Sequence, residues 1–443
     1  DNLFDIQSNI TTAIASALQA VLTGEERQSL EEKLTDNVEA YGHYLRARAN
    51  ASTYGRELDE IDTTIASYER AIQLDPGFAA AYSALSIDWS ERHWINTLPG
   101  DDAEKSRAAL EHAQELAPDS VETLTAAGYY HYWCNKDYDP ALNAFDQALL
   151  RKPGSALALR GRAYVLRRMG RIDEALDSFR KAISLDPLHA QMRVDMAYTF
   201  TNKGEMLDAL ASVRKANAVG TPSSFGLGVH ADILTILGRY DEAWNVLGPP
   251  HAQISGYMLA SYFFLARMSG KPEWTEQLMN HVDSTNALIN TPLQDLLMKA
   301  EILWRQGPSA SLDSTLAEIE SGLEELEQSA EHDEQREDLL ISRMSFHALR
   351  GERDRLQDAY DQYLLISRPD AMQPVEQGEA ITLAYAMVGD FQTVLDRIES
   401  VTDEFGPWEF GRYGPDSLFD PVREDPRFKA LQARYREWLS SLE

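Results

Sequence analysis

The chain has 443 residues, 44% of them hydrophobic, and a formal net charge of −30 at pH 7. This charge argues against nucleic-acid binding through the general surface and against docking on an anionic membrane, because both need clustered Lys and Arg. The single cysteine, Cys134, rules out an intramolecular disulfide and a multi-thiolate metal site, and no apolar run approaches the roughly 18 residues of a membrane span.

The first 50 residues predict a helical N-terminal segment. Apolar residues at helical spacing predict an amphipathic helix over residues 4–22 and a second helix over residues 25–34. Tyr41 and Tyr44 supply the apolar face of a third. The chain opens with Asp1 instead of Met, and we interpret it as a fragment whose missing front carries a membrane or output domain.

Five helix-forming stretches with small residues at fixed places each end in a proline. They are Ile65–Pro76, Arg107–Pro118, Ala141–Pro153, Ala175–Pro187 and Ala209–Pro222. Pro153 and Pro187 lie 34 residues apart. A fixed period of that length predicts an array of stacked helical hairpins.

Residues 156–187 illustrate one such hairpin. Gly170 makes its turn, and Pro187 ends its second helix because proline cannot donate the next helical hydrogen bond. Small side chains let the two helices approach closely, and large ones fill the gaps between neighbours. The residues predicted to face inward are Leu159, Ala163, Leu166, Ala175, Phe179 and Ala182.

This layout resembles the tetratricopeptide repeat (TPR) family, whose repeat places Leu-Gly, Tyr, Ala, Phe, Ala and Pro at set offsets. The resemblance is specific over residues 122–187 and continues over residues 190–248. It implies an all-α fold in which hairpins stack into a right-handed superhelix, the TPR solenoid, with degenerate C-terminal helical repeats and a capping helix.

Two spacings depart from the TPR pattern. Pro76 and Pro118 are 42 residues apart, which indicates an insertion over Ser90–Asp102. Pro118 and Pro153 are 35 residues apart, one more than the repeat length.

We predict three regions along the chain: a helical connector over residues 1–50, a TPR array over residues 51–250 and a degenerate helical-repeat region with a C-terminal cap over residues 251–443. In the third region only the turn glycines Gly351 and Gly389 keep a repeat-like pattern. Helices are predicted there at 254–269, 273–282, 291–306, 312–331, 336–350, 354–367 and 376–388.

Both ends of the chain resemble a bacterial signalling family. Residues 1–30 and TDNVEAYGHYLRARA at 35–49 resemble the connector that follows TolB-like domains in bacterial TPR signalling proteins, and FDPVREDPRFKALQARY (Phe419–Tyr435) resembles that family's C-terminal cap. In that family the module follows a winged-helix DNA-binding domain with a membrane helix, or a cyclase or kinase domain. The resemblance therefore implies a signalling or transcription-regulatory context.

The sequence shows none of the common catalytic motifs. It lacks a Gly-rich phosphate loop, an HExxH pair, a GxSxG elbow and an EF-hand loop. His131 and Cys134 lie three residues apart, but one imidazole and one thiol need two further ligands to hold a metal, so we interpret them as a local packing pair. No catalytic centre, metal or cofactor is predicted.

A basic region stands out in this acidic chain, since residues 156–216 hold eleven Lys or Arg against seven Asp or Glu. The TPR resemblance implies that roughly the second, fifth, ninth, twelfth and thirteenth positions of a first helix line the concave groove. Arginine forks bind carboxylate or phosphate bidentately, which predicts an anion-recognition groove. The alternative is that these arginines pair with acidic residues of adjacent repeats. The candidate groove residues are Arg160, Tyr164, Arg167, Arg168, Tyr198 and Asn202.

An aromatic group lies near the insertion. Trp89 and Trp94 sit at and beside it, and Tyr130 and Trp133 fall at groove-facing positions of the following first helix. Flat aromatic faces suit stacking on sugar rings or peptide side chains. The alternative is that these rings fill the core between repeats.

These features predict a non-catalytic ligand-sensing or interaction module, not an enzyme, that binds a small anionic or carbohydrate-like ligand or a peptide in its groove. The alternative is a pure protein–protein scaffold that recruits a partner chain. We expect no direct nucleic-acid binding and no membrane insertion by this fragment, and a homodimer is compatible with it. The family resemblance places it in the periplasm, after a missing membrane span, with the cytoplasm as the alternative.

Overall fold

The computed structural model describes most of the chain as helices joined by short turns, which confirms the predicted all-α fold class for the described residues. The predicted helices over residues 4–22 and 25–34 fall outside these residues, apart from the last position of the second. The structure describes residues 34–51, 58–95, 100–220, 222–250, 254, 256–284, 292–329, 333–367, 370–371 and 377–442.

The chain divides into two compact units, which are considered separately below. The first unit comprises residues 1–96 and 100–162, and the second comprises residues 97–99 and 163–443. The division falls within one helix. The three regions predicted from the sequence remain a prediction.

The first unit consists of helical hairpins. Helix α1 packs on α2, α3 on α4 and α5 on α6, while the first helices α3 and α5 also contact each other. Tyr44, Tyr68 and Phe78 fill the core between the first hairpins. The helices are α1 (Val38–Ala51), α2 (Leu58–Leu74), α3 (Ala79–Ile95), α4 (Asp102–Leu116), α5 (Val121–Trp133), α6 (Tyr138–Arg151) and the start of α7 (Ala156–Arg168).

The two irregular spacings have local explanations. Helix α3 continues to Ile95, so half of the predicted insertion lengthens the first helix of that hairpin. The extra residue of the 35-residue repeat lies in the turn after α5, where Lys136 adopts a φ of 49°. Left-handed backbone is unusual for a residue other than glycine, and here it accommodates a longer turn closed by the bond from Asp137 N to His131 O.

The second unit continues the hairpins and ends in short 3₁₀ helices. Its first helices α9, α11, α13, α15, α17 and α19 each contact the next. The elements after α7 are α8 (Ile172–Leu185), α9 (Ala190–Asn202), α10 (Met206–Val219), α11 (Ser224–Ile236), α12 (Tyr240–Leu247), α13 (Gly256–Ser269), α14 (Pro272–Ser284), α15 (Pro292–Gln306), α16 (Ala310–Ser329), α17 (Asp333–Leu349), α18 (Arg353–Ile366), α19 (Gly378–Met387), α20 (Phe391–Phe405), two 3₁₀ helices (Pro407–Arg412 and Ser417–Val422) and α21 (Pro426–Ser440).

Five hairpin turns of the second unit share one backbone conformation. At Gly170 the glycine has a φ of 74°, its N–H bonds to Arg167 O and the next N–H bonds to Leu166 O. This pair of bonds is a Schellman motif, which needs a left-handed residue and therefore favours glycine. The same two bonds recur at Gly204, Gly238, Gly351 and Gly389.

The C-terminal segments of the second unit pack against these turns. Trp408 lies against Gly204, where an added Cβ would be 2.6 Å from the indole ring. Tyr435 donates a hydrogen bond from its hydroxyl to Ile236 O, just before the turn at Gly238. The predicted cap therefore contacts repeats that precede it by about 200 residues in the chain.

Candidate functional site

In the first unit two of the predicted aromatic residues, Trp94 and Trp133, form a continuous ladder of rings with Tyr129 and Tyr132. The ring of Trp94 stacks on Tyr132 at 5.7 Å, Tyr132 contacts Trp133 at 6.0 Å, and Trp133 stacks on Tyr129 at 4.5 Å. Trp133 is only 6% exposed and Tyr132 only 2%. The burial of these rings favours the core interpretation for Trp133.

Arg160 joins the end of this ladder. Its Nε donates to the Tyr129 hydroxyl at 3.2 Å, and that hydroxyl donates to Leu157 O at 3.0 Å. The guanidinium also lies 6.0 Å from the Tyr129 ring centroid. The structure therefore brings Arg160 and Trp133 to the same tyrosine.

Cations lie beside two of the predicted tryptophans of the first unit, Trp89 and Trp94. The Lys105 ammonium lies 4.5 Å from the centroid of Trp89, and the Lys136 ammonium lies 5.7 Å from that of Trp94. Tyr130 is partly buried, and its burial raises the pKa of its hydroxyl.

In the second unit the guanidinium of Arg167 lies beside the rings of Tyr164 and Tyr198, and these three residues form the Arg167 box. Its guanidinium carbon lies 5.6 Å from the centroid of Tyr164, one helical turn earlier, and 5.1 Å from that of Tyr198 on α9. Nη1 donates to Thr199 Oγ1 at 3.4 Å, whereas Nε is buried without a hydrogen-bond partner. Arg167 is 7% exposed, and in the described part of the chain it forms no ion pair. Cation–π contact stabilises the charge but leaves part of its donor capacity unused.

A nearby carboxylate is held by other groups. Asp195 accepts from the Tyr164 hydroxyl at 2.6 Å and from Gln191 Nε2 at 2.8 Å. Thr199 in turn donates to Asp195 O at 2.7 Å, so its hydroxyl can accept from Arg167. These bonds hold Tyr164 and Thr199 in place beside the guanidinium.

Arg168 and Asn202 behave differently from Arg167. Arg168 pairs with Asp370 at 3.4 Å, and its carbonyl accepts from Ala371 N at 2.9 Å. Asn202, at the end of α9, is 7% exposed. Arg168 therefore follows the ion-pair alternative, although its partner comes from a distant segment and not from an adjacent repeat.

An aromatic strip continues from the Arg167 box along the next first helices. The Tyr198 and Phe225 rings are 6.2 Å apart, and the Phe225 and Tyr257 rings are 4.7 Å apart. Gly228 makes room for Tyr257, since a Cβ there would lie 2.7 Å from its ring. The Tyr257 hydroxyl donates to Asp232 Oδ2 at 3.1 Å.

The sequence prediction stopped short of these residues. Tyr164, Tyr198 and Asp232 are spaced by 34 residues and hold equivalent positions in three first helices. The same groove-lining positions, counted on the next first helix, include Phe225 and Asp232. Tyr257 lies beyond the regular pattern, and only the fold brings it to the strip.

A family model for the tetratricopeptide repeat matches residues 130–190 and 161–225. Residues 130–225 of the chain are tetratricopeptide repeats. The matched residues include the Arg167 box, which therefore lies on first helices of the repeats. The hairpins and glycine turns described above extend the TPR layout on both sides of the matched segment.

One curated relative shares part of this TPR region. A putative adenylate cyclase 3 of Rhizobium meliloti (strain 1021) is 29% identical over 132 residues, which are 30% of this chain and 21% of that protein. The match thus spans about a fifth of the relative's length.

Solved structures of similar fold share low identity with this chain. A thermophilic TPR protein of Thermus thermophilus is 16% identical and covers 44% of this chain and 98% of its own, with a TM-score of 0.37. The human IFIT1 dimer with PPP-AAAA is 12% identical and covers 82% of this chain and 77% of its own, with a TM-score of 0.43.

Beyond the repeats, a buried ionic network connects the C-terminal elements of the chain. Asp416, which has no exposed surface, accepts from Arg305 at 2.7 and 3.1 Å and lies 3.3 Å from Arg267 Nε. Glu379 pairs with Arg267 and, at 3.4 Å, with Arg412. The network links α13, α15, α19 and the first 3₁₀ helix.

No alternative site of metal or membrane type emerges from the described residues. His131 Nδ1 lies 3.4 Å from Asn135 Nδ2, and Cys134 Sγ donates to Ser90 Oγ at 3.5 Å. Within the same residues no three His, Cys, Asp or Glu side chains are placed to hold an ion. The helices that the structure describes include none long and apolar enough to cross a membrane.

Proposed function

We propose that this TPR interaction module binds an anionic group, such as a carboxylate of a peptide or of a small ligand, at the Arg167 box. The carrying observation is the buried guanidinium between Tyr164 and Tyr198, whose Nε has no acceptor. A buried charge without a counter-ion is costly, and an incoming carboxylate would supply both the missing charge and the missing acceptor. The partly exposed ring of Tyr198 beside it offers surface for the rest of the ligand.

The experiment measures thermal stability and binding with a panel of probes: inorganic phosphate, citrate and capped peptides carrying one Asp or Glu. We expect one of these classes to raise the melting temperature, because a ligand at a hundredfold excess over Kd stabilises the folded state by about 2.7 kcal/mol. Arg167→Met should weaken that binding roughly ten- to hundredfold, the loss of a sheltered charge-assisted bond worth about 1.5–3 kcal/mol.

Arg180→Met is the matched control. Arg180 lies on α8 with its side chain 54% exposed and pairs with Asp177 at 2.7 Å. It should bind the probe like the wild type. If Arg167→Met also binds like the wild type while remaining folded, the Arg167 box is a structural cation–π contact and the proposal fails.

We further propose that the module belongs to a larger bacterial signalling protein, in which ligand binding changes the array or its dimerisation and so regulates an output domain. The similarity to a putative adenylate cyclase supports this context, as does the resemblance of the chain's ends to TolB-associated proteins. A periplasmic location would fit the family members that carry a membrane helix. The sequence encoded upstream of Asp1 tests this, since a catalytic or DNA-binding domain there is the expected result.

A pure scaffold is the second candidate function. Its support is the TPR fold itself, which commonly presents a groove to a partner chain. A scaffold should respond to a folded partner and to none of the short probes. The probe panel therefore separates the two functions.

A further inference from the structure

The aromatic strip described above ends in two groups of opposite charge. Arg167 lies at one end and Asp232 at the other. Asp232 holds the repeat position that Tyr198 holds one repeat earlier and Tyr164 two repeats earlier. The steps along the strip are 5.1 Å from Arg167 to Tyr198, 6.2 Å to Phe225 and 4.7 Å to Tyr257. All of these residues belong to the second unit.

Asp232 mirrors Arg167 in its hydrogen bonding. Its Oδ2 accepts from the Tyr257 hydroxyl, whereas its Oδ1 is shielded from solvent and has near it only the Ser261 hydroxyl, which itself donates to Tyr257 O at 3.1 Å. Burial raises the pKa of Asp232 to about 6, with the Ser261 hydroxyl and the Arg412 charge opposing the rise and Glu379 adding to it. Arg412 does not pair with Asp232, because it lies 3.4 Å from Glu379 and 3.3 Å from Glu409.

The strip therefore has a donor without an acceptor at one end and an acceptor that lacks a well-placed donor at the other. Arg167 Nε lacks an acceptor and Asp232 Oδ1 lacks a well-placed donor, and an unsatisfied buried group costs about 1–3 kcal/mol. The rings between them are partly exposed, so they can pack against apolar groups. A ligand with a carboxylate, an apolar middle and a cation would satisfy the strip along its length.

We propose that the strip binds a peptide in which a carboxylate, held by Arg167, and a cationic group, held by Asp232, flank an aromatic or aliphatic side chain that packs on Tyr198 and Phe225. This inference rests on the proposed function of Arg167. It adds a second, cationic group to the ligand and states which end of the strip each charge occupies. Charge complementarity at both ends selects this occupant. A purely acidic segment would leave Asp232 facing a like charge or no donor.

The test uses acetylated and amidated peptides, so that only side chains carry charge, with Asp and Lys separated by two to five residues and Phe between them. Each peptide is compared with one in which norleucine replaces Lys and one in which Asn replaces Asp. Binding is measured by calorimetry on the full chain. We expect the Lys-containing peptide to bind at least tenfold more tightly than its norleucine counterpart.

Asp232→Asn should abolish this Lys preference and leave the binding of the norleucine peptide unchanged. The Asn amide can still accept from Tyr257, so the variant should fold, which its melting temperature checks. Asp208→Asn, at an exposed position on α10, is the control and should keep the tenfold preference. Arg167→Met should instead remove the preference for Asp over Asn in the peptide.

The possible results separate the two proposals. If Arg167→Met removes the Asp preference but Asp232→Asn keeps the Lys preference, the two-charge ligand is wrong and the anion site stands. If Arg167→Met changes nothing, both fail. Binding of a free zwitterion such as 6-aminohexanoate in the absence of any peptide binding would overturn the peptide assignment.

Discussion

Asp295 on α15 is a buried acid without an ion pair among the described residues. It is 4% exposed, its Oδ1 has no hydrogen-bond partner, and burial raises its pKa to about 6. Because the pKa is higher in the folded than in the unfolded chain, the folded state holds this proton more tightly. Its contribution to stability is present below the ordinary aspartate pKa and is lost as the pH rises through about 6.

We predict that Asp295→Asn stabilises the protein at pH 7.5 by up to about 3 kcal/mol, the equivalent of a shift of about two pKa units, and that the difference vanishes near pH 4. Urea unfolding at the two pH values measures it. Asp358→Asn, at an exposed position on α18, is the control and should show little difference at either pH. An equal gain at both pH values would contradict a charge effect.

At the scale of single residues, the sequence predicted which residues share a helix face better than it predicted their hydrogen-bond partners. The groove-lining positions of a TPR first helix include Tyr164, Arg167 and Tyr198, and the structure brings these three side chains together. It did not predict that Asp195 pairs with Tyr164 instead of Arg167, because a hydrogen-bond partner depends on distances of a few ångströms between helices.

The hairpin turns show what the sequence determines at the scale of elements. The sequence predicted turns at Gly170, Gly351 and Gly389, and all three have the same two backbone bonds, although the pattern around the last two is degenerate. Gly204 and Gly238 turn in the same way. The left-handed backbone of such a turn favours glycine and depends only on neighbouring residues, so the sequence indicates where the turn lies. The helix ends of the C-terminal region consequently lie close to their predicted positions.

The ionic network around Asp416 is the opposite case. Its arginines come from α13 and α15, more than 110 residues before the carboxylate they share. Asp416 also accepts from Leu418 N at 2.9 Å, so it holds the second 3₁₀ helix as well. No spacing in the sequence predicts such a pairing, because it depends on how the hairpins stack.

We predict that Asp416→Ala lowers the free energy of unfolding by about 3–5 kcal/mol, because it removes a fully buried carboxylate and leaves the largely buried Arg267 and the partly buried Arg305 with one counter-charge fewer. Asp420→Ala is the control, since Asp420 is 61% exposed and pairs with Arg423 on the surface. That change should cost no more than about 1 kcal/mol. Similar losses for the two variants in chemical denaturation would argue against a network that links elements.

At the scale of the whole chain, the C-terminal segments return to the middle repeats. Trp408 is 1% exposed, packs on Gly204 and donates from Nε1 to Phe405 O at 2.9 Å. Arg168 meets Asp370, and Tyr435 meets Ile236. The second unit is therefore closed by contacts that a simple linear array of repeats would lack.

We predict that Trp408→Ala costs about 3–5 kcal/mol of stability and raises hydrogen exchange both in residues 407–440 and around Gly204. Trp438→Ala is the control, because Trp438 is only partly buried and stacks on Tyr435 at 5.8 Å. It should affect exchange only near the C-terminus. If exchange around Gly204 is unchanged in Trp408→Ala, the returning segment does not stabilise the repeats.

The resemblance to TPR repeats indicated the face that carries Tyr164, Arg167 and Tyr198. The sequence by itself determined the all-α class, the hairpin period and the turn glycines. These features follow from local rules, since helical periodicity and left-handed turns need only a few neighbouring residues. Tertiary structure alone decided that Arg168 pairs with Asp370, that Tyr257 reaches Asp232 and that Trp408 covers Gly204. Those contacts join residues far apart in the chain, and only the stacking of hairpins sets the distances between them.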